Sequence, residues 1–107
     1  MTTVIWFAAF RNLESKRGAF VTAVKTGAQQ AGAVFVIHNH LDQTATLYGP
    51  APQAIFDQPQ SGRQFEKVLD KCPQSEIDVY LEKQVAFDPD LWIIETESGE
   101  GSPNLDL

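Results

Sequence analysis

Residues 91–97 read Leu-Trp-Ile-Ile-Glu-Thr-Glu. Pro89 stops any helix before them, because it forces Asp88 out of the helical region. The stretch that follows is a strand, and its first four residues are apolar without alternation. Both faces of that strand need cover from water, which suits a central position in a sheet beneath helices. The rest of the chain has to supply the neighbours and the cover. With 107 residues it forms one domain, and folding removes roughly two-thirds of the unfolded surface, enough for one modest core.

The neighbours can be read from spacing. Trp6, Ala9, Phe10 and Leu13 share one helical face, flanked by Val4, Phe7 and Ala8. A threonine precedes this helix as a cap; Lys16, Arg17 and Gly18 close it, with cations at the negative end of the dipole and a glycine for the left-handed turn. Ala19–Gly27, Ala31–Leu41 and Thr44–Gly49 read as strands. Residues 49–62 hold three of the six prolines and form a loop. Residues 63–70 fit a short strand with Phe65, Lys67 and Leu69 on one face, and also fit a helical turn. Ser75 and Asp78 resemble a capping box before the stripe Ile77, Tyr80, Leu81 and Val85. The expected fold is α+β: a mostly antiparallel sheet of four to five strands with two helices packed on one face, in the order α-β-β-β-(β)-α-β. Residues 1–97 make the domain and 98–107 a mobile tail.

Charge and cysteine content remove several functions. The net charge of −6 comes from residues 42–107, which sum to −9 against +3 for residues 1–41. A pI near 4.7 disfavours nucleic acid. Cys72 is alone, which excludes an internal disulfide and a cysteine-based zinc site. The longest apolar run, Val4–Phe10, is too short to cross a bilayer and lacks the flanks of a secretion signal. A cytoplasmic setting is the expectation. No phosphate loop, nucleophile elbow or dinucleotide fingerprint occurs, so no cofactor is expected.

The two histidines, His38 and His40, stand on one face of a strand about 6.6 Å apart, with Asp42 two residues on. Two imidazoles and a carboxylate can share a metal ion, but a stable zinc site needs three or four protein ligands. Hairpin register favours a plainer role. A three-residue loop, Asp42–Thr44, gathers Phe35, Ile37, Leu41, Ala45 and Leu47 on one face and sets His40 opposite Thr46 and His38 opposite Tyr48. The histidines then form a polar, solvent-side face. Asp88 and Asp90 flank Pro89; paired carboxylates can bind a metal or move protons, and they also punctuate turns. Arg11 and Trp92 complete the candidate binding residues. Glu95 and Glu97 share a face with Ile93, as a strand emerging into solvent would show; a buried glutamate there would need Arg11 or Arg17.

The stretches "FDPDLWIIETE", "GAQQAGAVFVIHNHLDQTATLYGPAP" and "WFAAFRNLESKRGAF" resemble a family of short uncharacterised alphaproteobacterial proteins classed as a domain of unknown function. The resemblance spans about residues 4–97. Where the family's hairpin turns on Asp-Gly, this chain has Asp42-Gln43, and the family pattern carries no histidines at 38 and 40. It implies that any shared role lies with Arg11, Gly32, Pro50, Asp88, Asp90 or Trp92; backbone geometry explains Gly32 and Pro50 equally well. The functional expectation is a non-enzymatic module that self-associates as a homodimer or binds another protein through the apolar excess of the first helix and nearby strand surface. The competing expectation is a metal- or small-ligand-binding domain, with hydrolysis as one form of it, using His38 and His40 or Asp88 and Asp90.

Overall fold

The computed structural model describes residues 1–52 and 63–106. Its elements run α1 (Thr3–Lys16), β1 (Phe20–Lys25), β2 (Val34–Asn39), β3 (Thr44–Pro50), β4 (Phe65–Pro73), α2 (Gln74–Phe87) and β5 (Trp92–Glu97). Residues 65–70 are therefore strand. Most of the loop read over 49–62 lies outside the described residues. No helix among the described residues is long and apolar enough to cross a membrane.

The strands make one sheet in the order β1-β5-β2-β3-β4. Three pairings are antiparallel, and β5 runs parallel to β2. The last strand thus wedges between β1 and β2, the position its two-sided apolar run demands. Val34, Val36, Trp92 and Ile94 lie beneath Trp6 and Phe10 of α1. Phe35, Ile37, Ala45, Leu47, Leu91 and Ile93 lie beneath Ile77 and Leu81 of α2. The helices cover opposite faces, which corrects the expectation of a one-sided arrangement. Consecutive apolar residues in both central strands leave no polar face to give to water.

α1 begins and ends as its sequence indicates. The Thr2 side chain accepts from the Ile5 amide at 3.3 Å, and Gly18 adopts φ 83° to close the helix. α2 differs: it starts at Gln74 behind Pro73, without a side-chain cap. Asp78 instead accepts from the Gln74 side chain at 3.1 Å. The shared face expected for Phe65, Lys67 and Leu69 is also broken. Register shifts between Ala45 and Leu47 and between Leu47 and Tyr48 place extra β4 residues against β3. Phe65 consequently packs on the α1 side and Leu69 on the α2 side, as a bulge re-aims the side chains beyond it.

The 27–32 turn is clamped to the turn before β5. Ala28 donates its amide to the Asp90 carbonyl at 2.8 Å, and Trp92 Nε1 donates to the Ala28 carbonyl at 2.8 Å. A β-carbon on Gly32 would stand 2.8 Å from the Asp90 carbonyl oxygen, the Ala28 carbonyl oxygen and Trp92 Cδ1. Close backbone approach, not positive φ, is what requires glycine here. Gly32→Ala should therefore cost about 1–3 kcal/mol of stability in urea denaturation, with a change in native tryptophan fluorescence as the Trp92 ring gives way.

Candidate functional site

The C-terminal turn of α1 holds a polar cluster. Glu14 is fully buried yet accepts five hydrogen bonds. Arg17 gives two through Nε and Nη2, both at 2.8 Å, and Thr96 Oγ1 gives one at 2.7 Å. Asn104 supplies its amide at 3.0 Å and its side chain at 2.7 Å. Burial by itself would raise the Glu14 pKa, but these donors outweigh it and hold the carboxyl below its ordinary range. The same Arg17 reaches Ser98 Oγ and the Glu100 carbonyl, both at 3.0 Å. The final residues, expected to be a mobile tail, thus make specific contacts here, and Leu105 joins the core under α1.

The histidines belong to this cluster. The hairpin loop is Leu41–Gln43, with His38 opposite Thr46 and Asn39 opposite Ala45. Phe35, Ile37, Ala45 and Leu47 gather on one face as face matching requires, but in a register two residues off the expected one, which leaves Leu41 exposed in the loop. Leu41 and Gln43 take φ 63° and 74° to make this three-residue connection. The opposite face is not solvent: His38 is 1% exposed, because α1 and the residues after β5 cover it. His38 Nε2 lies 3.0 Å from Ser98 Oγ and 3.1 Å from the Ser98 carbonyl. Burial pushes its pKa down. Thr46 Oγ1 donates to Asp70 at 3.1 Å and accepts from the Lys71 amide, so His40 Nε2, 2.8 Å away, donates to it.

The metal alternative of His38, His40 and Asp42 is not assembled. Asp42 turns into its own loop, accepting from the Thr44 amide and hydroxyl at 3.0 and 2.6 Å. Among the described residues no three His, Cys, Asp or Glu side chains group closely enough to hold a metal ion. The other sequence candidates separate as well. Arg11 lies over the Phe7 ring at 5.4 Å, and Phe7 tilts against Trp92 at 5.9 Å, so Arg11 and Trp92 are joined through Phe7 on the α1 side. Asp88 accepts from the Asp90 amide at 3.1 Å in a local turn, and it lines a cleft on the α2 side.

That side of the sheet is only partly covered. Five strands at about 4.8 Å spacing span roughly 19 Å, whereas one helix is about 10 Å across. α2 rests over the middle and leaves a cleft on each flank. One, of about 570 Å³, lies toward β4 and is lined by Phe35, Tyr80, Gln84, Phe87 and Asp88 among others. The other, of about 490 Å³, lies toward β1. Val24, Ile37, Leu81, Val85 and Ile93 form its apolar part, and Asp78, Glu82 and Glu95 stand with them. Phe20 and Val24 of β1 are 67% and 55% exposed. By contrast the apolar stripe of α1 is largely spent inside, with Val4 and Ile5 its main exposed remainder.

Residues 1–106 match the family described as a protein of unknown function, DUF1491. The chain belongs to that family. A DUF1491 protein from Caulobacter crescentus, solved in a crystal, is 29% identical, with a TM-score of 0.79 over 96% of this chain and 90% of that one. A protein from A. tumefaciens, solved in solution, is 34% identical, with a TM-score of 0.86 over 100% and 93%. No protein of curated function matches. The family thus fixes the fold of this DUF1491 chain and leaves its role to be argued from its surface.

Glu14 and its partners were not among the sequence candidates, though a signal was present. Glu14 continues the Trp6–Phe10 face at helical spacing, with Arg17 three residues on. Glu14→Ala should cost about 3 kcal/mol in denaturant melts, since it leaves Arg17, Thr96 and Asn104 without their acceptor, and Glu14→Gln should cost less. Stability should fall with pH in two separate windows. His38 has a lowered folded pKa, so its contribution is present above about 6.5 and is lost as pH drops below that value. Glu14, also lowered, loses its contribution below the ordinary glutamate value near 4.3. Thermal melts of His38→Asn should lack the first window and keep the second.

Proposed function

We propose that this chain is a non-catalytic interaction module that takes a partner protein on the α2 side of the sheet, along β1. The observation that carries the reading is the incomplete cover of that face. Phe20 and Val24 stand exposed beside an apolar groove, and among the described residues β1 ends the sheet, with no strand along its outer backbone edge. Open edges with apolar side chains pair readily with other chains. The polar cluster under α1 supports the same view from the other direction. His38, Ser98 and Glu14 are buried, spend their polar atoms on one another or on nearby partners, and line none of the clefts described. They are placed to hold the fold together, not to meet a substrate. The carboxylates of the groove also repel a polyphosphate ligand.

A second reading rests on the cleft of about 570 Å³ beside Asp88, whose size suits a small ligand. Tyr80 and Phe35 meet edge to face there at 6.3 Å, with Gln84 and Asp88 as polar groups able to orient a guest.

A photoreactive benzoylphenylalanine placed at Thr22, exposed on β1, or at Asn12, exposed on α1, separates the surfaces in cells that make the protein. Discrete cross-linked protein adducts at position 22 and none at position 12 are expected. Adducts at position 12 alone would move the interface to α1. Adducts at neither would remove the interaction reading in favour of the Asp88 cleft.

A further inference from the structure

The charge around the groove narrows the partner, an inference that rests on the interaction reading above. Asp78 and Glu82 from α2 and Glu95 from β5 line the groove, and no Lys, Arg or His does. The ion pairs among the described residues are Glu14 with Arg17 and Lys67 with Asp70, so none of the groove carboxylates has a cation beside it. Glu97 stands next to Glu95 along β5 and adds like charge; burial first, then this neighbour, raises the Glu95 pKa. An apolar trough walled by unpaired carboxylates is complementary to a chain that is apolar and basic together.

The strand register shows how such a chain would lie. Phe20 pairs with Glu97 and Thr22 with Glu95. A strand added outside β1 would stand about 10 Å from β5, with only the small Thr22 side chain between its middle and Glu95. Long lysine or arginine side chains can cross that gap, while apolar groups pack on Phe20 and Val24. A second copy of this chain offers the wrong chemistry. Joined β1 to β1, it would present Phe20, Thr22 and Val24 again, with its one strand cation, Lys25, already spent on the Thr26, Pro89 and Leu91 carbonyls, and would bring its own acidic groove alongside. The opposite edge is less inviting: β4 has two register shifts against one in β1, between Ala23 and Lys25, carries Lys67 and Lys71, and ends at Pro73, features that discourage strand addition.

We propose that the groove between α2 and β1 receives an extended basic segment of a different protein, hydrogen-bonded to the open edge of β1 with lysine or arginine side chains directed at Glu95, Glu82 and Asp78. A synthetic end-blocked decapeptide alternating lysine with valine is the test ligand, titrated by calorimetry at low salt with amide hydrogen exchange read in parallel. Saturable binding is expected, with slowed exchange at Phe20–Ala23. It should weaken about tenfold in Glu82→Gln/Glu95→Gln and stay unchanged in Glu66→Gln, a carboxylate of the far edge. Both variants should melt like the wild type. Equal binding of a peptide with a central proline would reduce the effect to charge alone and overturn strand addition. Equal binding of a glutamate–valine peptide, or no effect of the double variant, would overturn the basic specificity. If adducts form at position 22 in cells while the lysine peptide does not bind, the interaction reading stands and the basic-segment assignment falls. Absence of both removes the two together.

Discussion

A single buried carboxylate ties the ends of this molecule together. Glu14 sits at the closing turn of α1 and is bonded by a residue of its own helix, by β5 and by the segment after β5. Burying a charge is costly unless hydrogen bonds replace its water, and here donors occupy both oxygens. The cost enforces the geometry: α1 rests on the sheet where Thr96 and Asn104 meet its carboxylate. Arg17 extends the tie to Ser98 and Glu100, and Ser98 meets His38. The far wall of the core is thereby shut by a network that leaves little polarity to spare for chemistry.

The contrast between the two faces of the sheet follows from width. The α1 face gains Leu105 as well as the helix. The α2 face has one helix of 14 residues against five strands. Two clefts result, and their linings differ: aromatic and mixed polar toward β4, aliphatic and acidic toward β1. Acidity there is not offset within the chain, which gives the surface a preference of sign as well as shape.

Much of the architecture was legible because it rests on local patterns. Trp6 and Phe10 announced α1, Pro89 ended α2, and the apolar run 91–94 called for a central strand. What stayed hidden depended on contacts distant in sequence. The side of the sheet each helix covers is decided by which strands become neighbours, and β5 joining β2 in parallel is not written in either strand. His38 reads as polar in an alternating hairpin, and only the cover supplied by α1 and Ser98 makes it interior. The faces of β4 were misread because bulges carry no signature beyond a residue such as Lys71, held at φ 47°. The groove carboxylates were visible singly, but Asp78 and Glu82 meet Glu95 only after folding.

The insertion of β5 between β1 and β2 also bears on how the chain reaches this state. Among the described residues β1 pairs with β5 alone, so it waits for the fifth strand before it can join the sheet. A ribosome must release the chain through β5 first. Until then the hairpin of β2 and β3, with β4, can gather locally and offer α1 part of its platform, while β1 has apolar surface and no strand to join. Such reliance on distant pairing slows folding and lengthens the time that sticky strands are exposed. The molecule closes from its end backward, and shortening it at the C-terminus would strand its beginning.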